Sequence, residues 1–284
     1  MNECIVILST GQSGSSVLAE LVKNKTKYNV PKPVIKARFL LNLFKKKVNK
    51  NGYNESRKIV NLNEEIYLKN NLLWYSSHKK IKLSNNDKDK INKLYTEILK
   101  KNKNIILKDQ RINLMLDDYF EELKKLKINF KYIFLYRNPE SFCNALKLRN
   151  GIRKSLSENL WLSHNSLISN FLYNKDHLLI SYEEIFNNLT VAEKKINLFL
   201  GLNTKLNFES PFYDFFDRSH TRNYKTPINK QKLNKKTLDL YKSLNEGKVS
   251  KQKISFSRSV TNDIDIATKF KFYIQRLFRF LYIQ

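Results

Sequence analysis

Cys4-Ile-Val-Ile-Leu-Ser-Thr-Gly-Gln-Ser-Gly-Ser-Ser-Val-Leu-Ala-Glu-Leu-Val22 passes from an apolar run through a small-residue turn into helical spacing. Cys4 to Leu8 is rich in β-branched residues and reads as a buried strand. Ser9 to Ser16 is built of small residues, Gln12 excepted, and holds Gly11 and Gly14. Val17, Leu18, Leu21 and Val22 then recur at helical spacing. A strand feeding a helix through such a loop aims backbone N–H groups and the positive helix end at one point, where an anion can sit. The alternative is a plain tight turn. Gly11 through Ser16 is not the triphosphate-binding loop, which needs Gly-x-x-x-x-Gly-Lys, because no lysine falls in it.

The elements that follow alternate. Short apolar runs at Asn104–Lys108, Lys131–Tyr136 and His177–Tyr182 read as further strands. Between them lie helical patterns at about 34–48, 57–74, 84–101, 114–127, 139–150 and 156–172. Ser84-x-x-Asp87 and Thr190-x-x-Glu193 read as capping boxes, Pro139 as a first helical residue, and Gly151 and Gly201 as C-terminal caps. Strands separated by helices imply an α/β, P-loop-like three-layer fold, with a central, mostly parallel sheet of four to five strands flanked by helices. In such sheets ligands bind beyond the carboxyl ends of the strands. Those ends carry Ser9 to Ser16, Lys108-Asp-Gln-Arg111, Arg137-Asn138 and Ser181-Tyr-Glu183. Three of the four offer basic residues or loop N–H groups, so the pattern points to an anion.

The formal net charge is +27 over 284 residues. An anionic partner would account for it. So would a compositional bias that raises Lys, Asn and Ile together, and the scattering of the lysines favours that bias. Cys4 and Cys143 form neither a metal-ligand spacing nor a disulfide framework, which fits a reducing, cytoplasmic setting. No metal site is expected, and no recognisable nucleic-acid-binding motif occurs. There is no apolar run of ~18 residues to span a membrane. The chain reads as one domain over 1–284, in which 203–284 is a looser helical and irregular extension. Within it, residues 268–283 mix apolar and basic residues; they either dock on their own domain or lie peripherally on a membrane.

Taken together, the first loop, Lys108-Asp-Gln-Arg111, Arg137-Asn-Pro139, Arg149-Asn-Gly-Ile152, Leu160-Trp161 and Ser181-Tyr-Glu-Glu184 resemble the sulfotransferase superfamily. The likeness is to bacterial enzymes that use 3′-phosphoadenosine-5′-phosphosulfate (PAPS), and it runs from about 4 to 202. It implies sulfuryl transfer to a hydroxyl, with a carbohydrate or glycolipid as the expected acceptor. It also implies that Gly11, Gln12, Ser13, Gly14, Ser15 and Ser16 wrap the phosphosulfate end. Lys108 would hold the same group, and Arg137 would hold the 3′-phosphate. Gly52-Tyr-Asn-Glu55 matches a Gly-x-x-Glu element of the family, which makes Glu55 the expected general base. Arg149 either assists the 3′-phosphate or only favours its helix C-terminus.

Two positions depart from the family pattern. Gln12 stands where the loop normally carries Arg or Lys, and Ala145 stands where a serine would bind the 3′-phosphate. A catalytically weak or inactive sulfotransferase-like protein that binds a nucleotide or polyanion without turnover is therefore the alternative function. His78 is an alternative base. His164 and His220 read as surface or packed residues, and Trp161 and Tyr182 as core. Arg218-Ser-His-Thr-Arg222 reads as a basic rim.

Overall fold

The computed structural model describes residues 2–35, 53–76, 80–202 and 233–254, apart from the side chain of Arg149. Four strands form one sheet: β1 (Asn2–Ser9), β2 (Asn104–Leu107), β3 (Ile128–Tyr136) and β4 (His177–Ser181). Their order is β2-β1-β3-β4, and every pairing is parallel. Between β1 and β2 come α1 (Ser15–Lys25), α2 (Arg57–Lys69) and α3 (Asn85–Lys101). A 3-10 turn over Gln110–Leu114 and α4 (Leu116–Lys124) follow β2. Helices α5 (Pro139–Asn150) and α6 (Lys154–Leu172) join β3 to β4. After β4 come α7 (Tyr182–Asn187), α8 (Leu189–Leu200) and, beyond the undescribed 203–232, α9 (Lys235–Asn245).

Alternation along β1 builds the layers. Cys4, Val6 and Leu8 enter a core with Ile66, Ile91, Phe120, Trp161 and Leu240, contributed by α2, α3, α4, α6 and α9. Ile5 and Ile7 enter a second core with Leu18, Val22, Ile185 and Ile196, from α1, α7 and α8. A strand buried on both faces needs the continuous apolar run seen in its sequence. The chain leaves β1 toward β2 on one side and later returns to β3 on the other. The order therefore reverses between β1 and β3, where a crevice opens beyond the strand ends.

Several helix ends fall elsewhere than the sequence pattern suggests. The helix expected to reach residue 74 stops at Lys69, because Asn70 turns its amide onto the Ile66 carbonyl and Asn71 adopts φ 55°. The pattern at 114–127 splits into the 3-10 turn and α4. Ser84 and Asp87 cap each other as expected. The second box does not form: Asn188 caps α8 by accepting from Val191 N–H, two residues before Thr190. Gly151 and Gly201 end their helices in the left-handed region, with φ of 69° and 71°. Most of the 34–48 pattern lies outside the described residues. Its first two residues are not helical, since Val34 bridges Ser56 and Ile35 N–H donates to the Glu55 carbonyl. His78, His220, residues 218–222 and residues 268–283 also lie outside them. Among the described residues no helix is long and apolar enough to cross a membrane.

Candidate functional site

The loop after β1 is held tightly. Thr10 and Ser13 hydroxyls bond at 2.7 Å, and Asn113 Nδ2 donates to the Ser9 carbonyl at 2.9 Å. Gln12 and Gly14 both take positive φ, 63° and 82°. Gly14 is the N-cap of α1 and supplies no side-chain acceptor. Its glycine identity is doubly required, because a Cβ there would lie 2.6 Å from the Tyr182 ring as well as in a left-handed residue. Gly11 is covered by Gln110, whose Oε1 would stand 2.2 Å from an added Cβ. No acidic residue occupies the first turn of α1. The helix's own first turn therefore sets no carboxylate against an anion at that end.

Two cations reach this loop from opposite sides, as the order β2-β1-β3 requires. Lys108 follows β2. Its ammonium donates to Glu55 Oε1 at 2.7 Å, to the Tyr53 carbonyl at 2.7 Å and to Ser16 Oγ at 3.3 Å. Ser16 Oγ in turn donates to the Tyr53 carbonyl. Arg137 follows β3. Its Nη1 donates to the Gln12 carbonyl at 2.7 Å, and its guanidinium lies 4.1 Å over the Tyr182 ring. Trp161 Nε1–H holds the Arg137 carbonyl. Trp161 and Tyr182 are therefore core residues, as expected, that also shape this arginine's surroundings.

Arg111 contrasts with Arg137. Both are 4% exposed. Arg111 pairs with Asp109 at 2.7 Å and Glu64 at 2.8 Å, and lies 4.0 Å from Glu55. Burial lowers its pKa, but the surrounding carboxylates outweigh burial and the net direction is up. Among the described residues no carboxylate lies within 4.0 Å of Arg137, and its buried Nε finds no partner. Burial accordingly pushes the Arg137 pKa down. The nearby Glu183 does not compensate: burial pushes its own pKa up, and its Oε1 accepts from Asn138 N–H. A buried cation without a counter-ion is costly, and a bound anion removes that cost.

The structure brings Gly11 through Ser16, Lys108, Glu55 and Arg137 together. Arg149 lies in the last turn of α5, with its side chain outside the described residues, and Gly52 lies outside them too. Ala145 is part of α5. His164 is packed, one of the two alternatives its sequence context left open. It is buried within α6, its Nε2–H facing the Ser76 carbonyl and its Nδ1 the Asn113 amide, and burial pushes its pKa down to about 4. The sequence pattern missed this link and the roles of Asn54 and Arg111. Only the Lys108-Asp-Gln-Arg111 cluster signalled the last. Among the described residues no cluster of metal-ligating side chains occurs.

No family model and no curated protein sequence matches the chain. Solved structures do. The sulfotransferase domain from the curacin biosynthetic pathway aligns over 86% of this chain and 98% of that one, at 17% identity and TM-score 0.52. The sulfotransferase domain from the Synechococcus PCC 7002 olefin synthase aligns over 86% and 94%, at 16% identity and TM-score 0.51. At these identities the likeness is one of fold. The chain has a sulfotransferase-like α/β fold.

Proposed function

We propose that the protein is a sulfotransferase that moves a sulfuryl group from PAPS to a hydroxyl of a carbohydrate or glycolipid acceptor. The observation that carries this reading is the buried Arg137 guanidinium. Among the described residues it has no carboxylate partner, and it lies against the same glycine-bearing loop that Lys108 meets from the other side. The loop N–H groups of Gly11 to Ser16 and Lys108 receive the phosphosulfate end, and Arg137 receives the 3′-phosphate. Gln12 contributes its backbone, since its carbonyl already orients Arg137. PAPS supplies the activated sulfuryl group, so the protein's own work is positioning and charge stabilisation. Glu55 takes the proton of the attacking hydroxyl, and Lys108 stabilises charge where the loop lacks a cation. The chain acts as one domain, with 203–284 as an extension of it. Its described part, around α9, is fastened to α6 by backbone bonds of Ser250 and Gln252 to the side chains of Ser169 and Asn170.

Labelled PAPS offered with a panel of glycans and glycolipids tests the assignment. Transfer is expected from the wild-type protein and is expected to fail in Glu55→Ala and Lys108→Ala. Equal transfer by all three would overturn the assigned roles. Gln12 favours a second reading, binding without turnover. That reading prevails if the wild type binds adenosine 3′,5′-bisphosphate, transfers nothing, and gains transfer in Gln12→Arg.

A further inference from the structure

Glu55 lies in the short segment just before α2, and its carboxylate meets Lys108 at 2.7 Å. Three sets of contacts hold that segment, one of them the bonds of Ser16 Oγ and Lys108 to the Tyr53 carbonyl. On one side its backbone pairs with Pro33–Ile35: Tyr53 N–H donates to the Ile35 carbonyl, Ile35 N–H to the Glu55 carbonyl, and Arg57 N–H to the Pro33 carbonyl. On the other side stands Asn54. Its residue is 6% exposed and adopts φ 49°, the left-handed region that asparagine tolerates better than most side chains. Its Nδ2 donates to the Ser16 carbonyl at 3.0 Å and to Glu20 Oε2 at 3.1 Å. Both acceptors belong to α1, the helix whose N-terminus faces the anion site.

We propose that Asn54 is a positioning residue that fixes the Glu55 carboxylate relative to the anion loop, through its two side-chain hydrogen bonds to α1. The inference rests on the sulfotransferase reading of the same site. Without those bonds the backbone pairing to Pro33–Ile35 and the bonds of Ser16 Oγ and Lys108 to the Tyr53 carbonyl remain, so the segment keeps its place in the fold, but the residue next to Glu55 loses its own hold on α1. A base displaced by a fraction of an ångström loses rate while the loop and Arg137 still bind the nucleotide.

Asn54→Gly in the full chain tests this, because glycine accepts the positive φ while the two bonds are lost. Wild-type transfer from PAPS and binding of adenosine 3′,5′-bisphosphate are measured first; failure of both overturns the sulfotransferase reading itself. The expected result is a kcat lowered ~10- to 100-fold, with bisphosphate affinity and the KM for PAPS changed by less than about twofold. In a Glu55→Gln background the same substitution should change kcat by less than about twofold, since a residue that acts through Glu55 has nothing left to position. An unchanged kcat, or an equal loss in both backgrounds, overturns the role. If Asn54→Gly does not fold, Glu20→Ala, which removes one of the two acceptors and leaves the Asn54 backbone unchanged, is read in the same two backgrounds with a smaller expected loss.

Discussion

Lys108 Nζ and Glu55 Oε1 lie 2.7 Å apart although 53 positions separate them in the chain. Their side chains are only 6% and 16% exposed, so each group satisfies the other's charge in a poorly solvated place. The three acceptors around the Lys108 ammonium match its three hydrogens. On the proposed reading an incoming phosphosulfate must take one of those positions, and Glu55 is both the base and a competitor for the cation.

Glu55→Gln should therefore separate binding from chemistry. Transfer is expected to fall ~10²- to 10⁴-fold, the usual contribution of a general base. Affinity for adenosine 3′,5′-bisphosphate is expected to rise, because Lys108 is released from a carboxylate. Titration calorimetry beside the labelled-PAPS assay checks both directions, and weaker bisphosphate binding would contradict the competition.

The two buried arginines should behave in opposite ways. Arg111→Met leaves Asp109 buried and unpaired, which costs about 3–5 kcal/mol. Arg137→Met keeps the stem beside Tyr182 and removes an uncompensated charge, so ligand-free stability should hold or rise. The same variant should lose bisphosphate affinity by ~10- to 100-fold, the worth of charge-assisted hydrogen bonds. Denaturant midpoints with and without bisphosphate distinguish the cases.

Gly14→Ala should cost more than Gly201→Ala. Both residues have positive φ, 82° and 71°, but only Gly14 would drive a Cβ into a neighbour, the Tyr182 ring. The Gly201 change is expected to cost about 1 kcal/mol or slightly more, from the backbone alone. The Gly14 change should exceed it and weaken bisphosphate binding as well, since Tyr182 underlies Arg137. Thermal unfolding of the two variants, each with and without bisphosphate, reads the difference.

His164 should make the protein acid-sensitive. Its pKa is pushed down to about 4 by burial, against an ordinary value of 6.5. An unfolded chain takes up the proton below 6.5, and the folded one refuses it until about 4, so stability falls as pH drops through that window. The loss attributable to this group between pH 7 and pH 5 is about 2 kcal/mol. Unfolding free energies at both pH values should show it, and His164→Gln should flatten that part of the profile.

Much of the architecture was legible because it depends on local pattern. The apolar run Cys4–Leu8 had to be buried on both faces, and it forms the middle of β1. Ser84, Pro139, Gly151 and Gly201 marked helix ends through capping chemistry that acts over three or four residues. Thr190 misled because Asn188, two residues earlier, captured the same helix end. Surface and packed readings of His164 stayed open because nothing local distinguishes a histidine facing solvent from one aimed at Asn113 and Ser76.

By itself the sequence determined that a strand, a small-residue loop and a helix would open the chain, and that basic residues would follow the next two strands. Periodicity and loop chemistry suffice for that. Only the tertiary structure decided which of those basic residues is surrounded by carboxylates. Arg111 and Arg137 look alike along the chain. One is surrounded by Asp109, Glu64 and Glu55, while the other meets a carbonyl and an aromatic ring. A buried charge takes its energy from the groups packed around it, and here α2 supplies Glu64 and α7 supplies Tyr182, from distant parts of the chain.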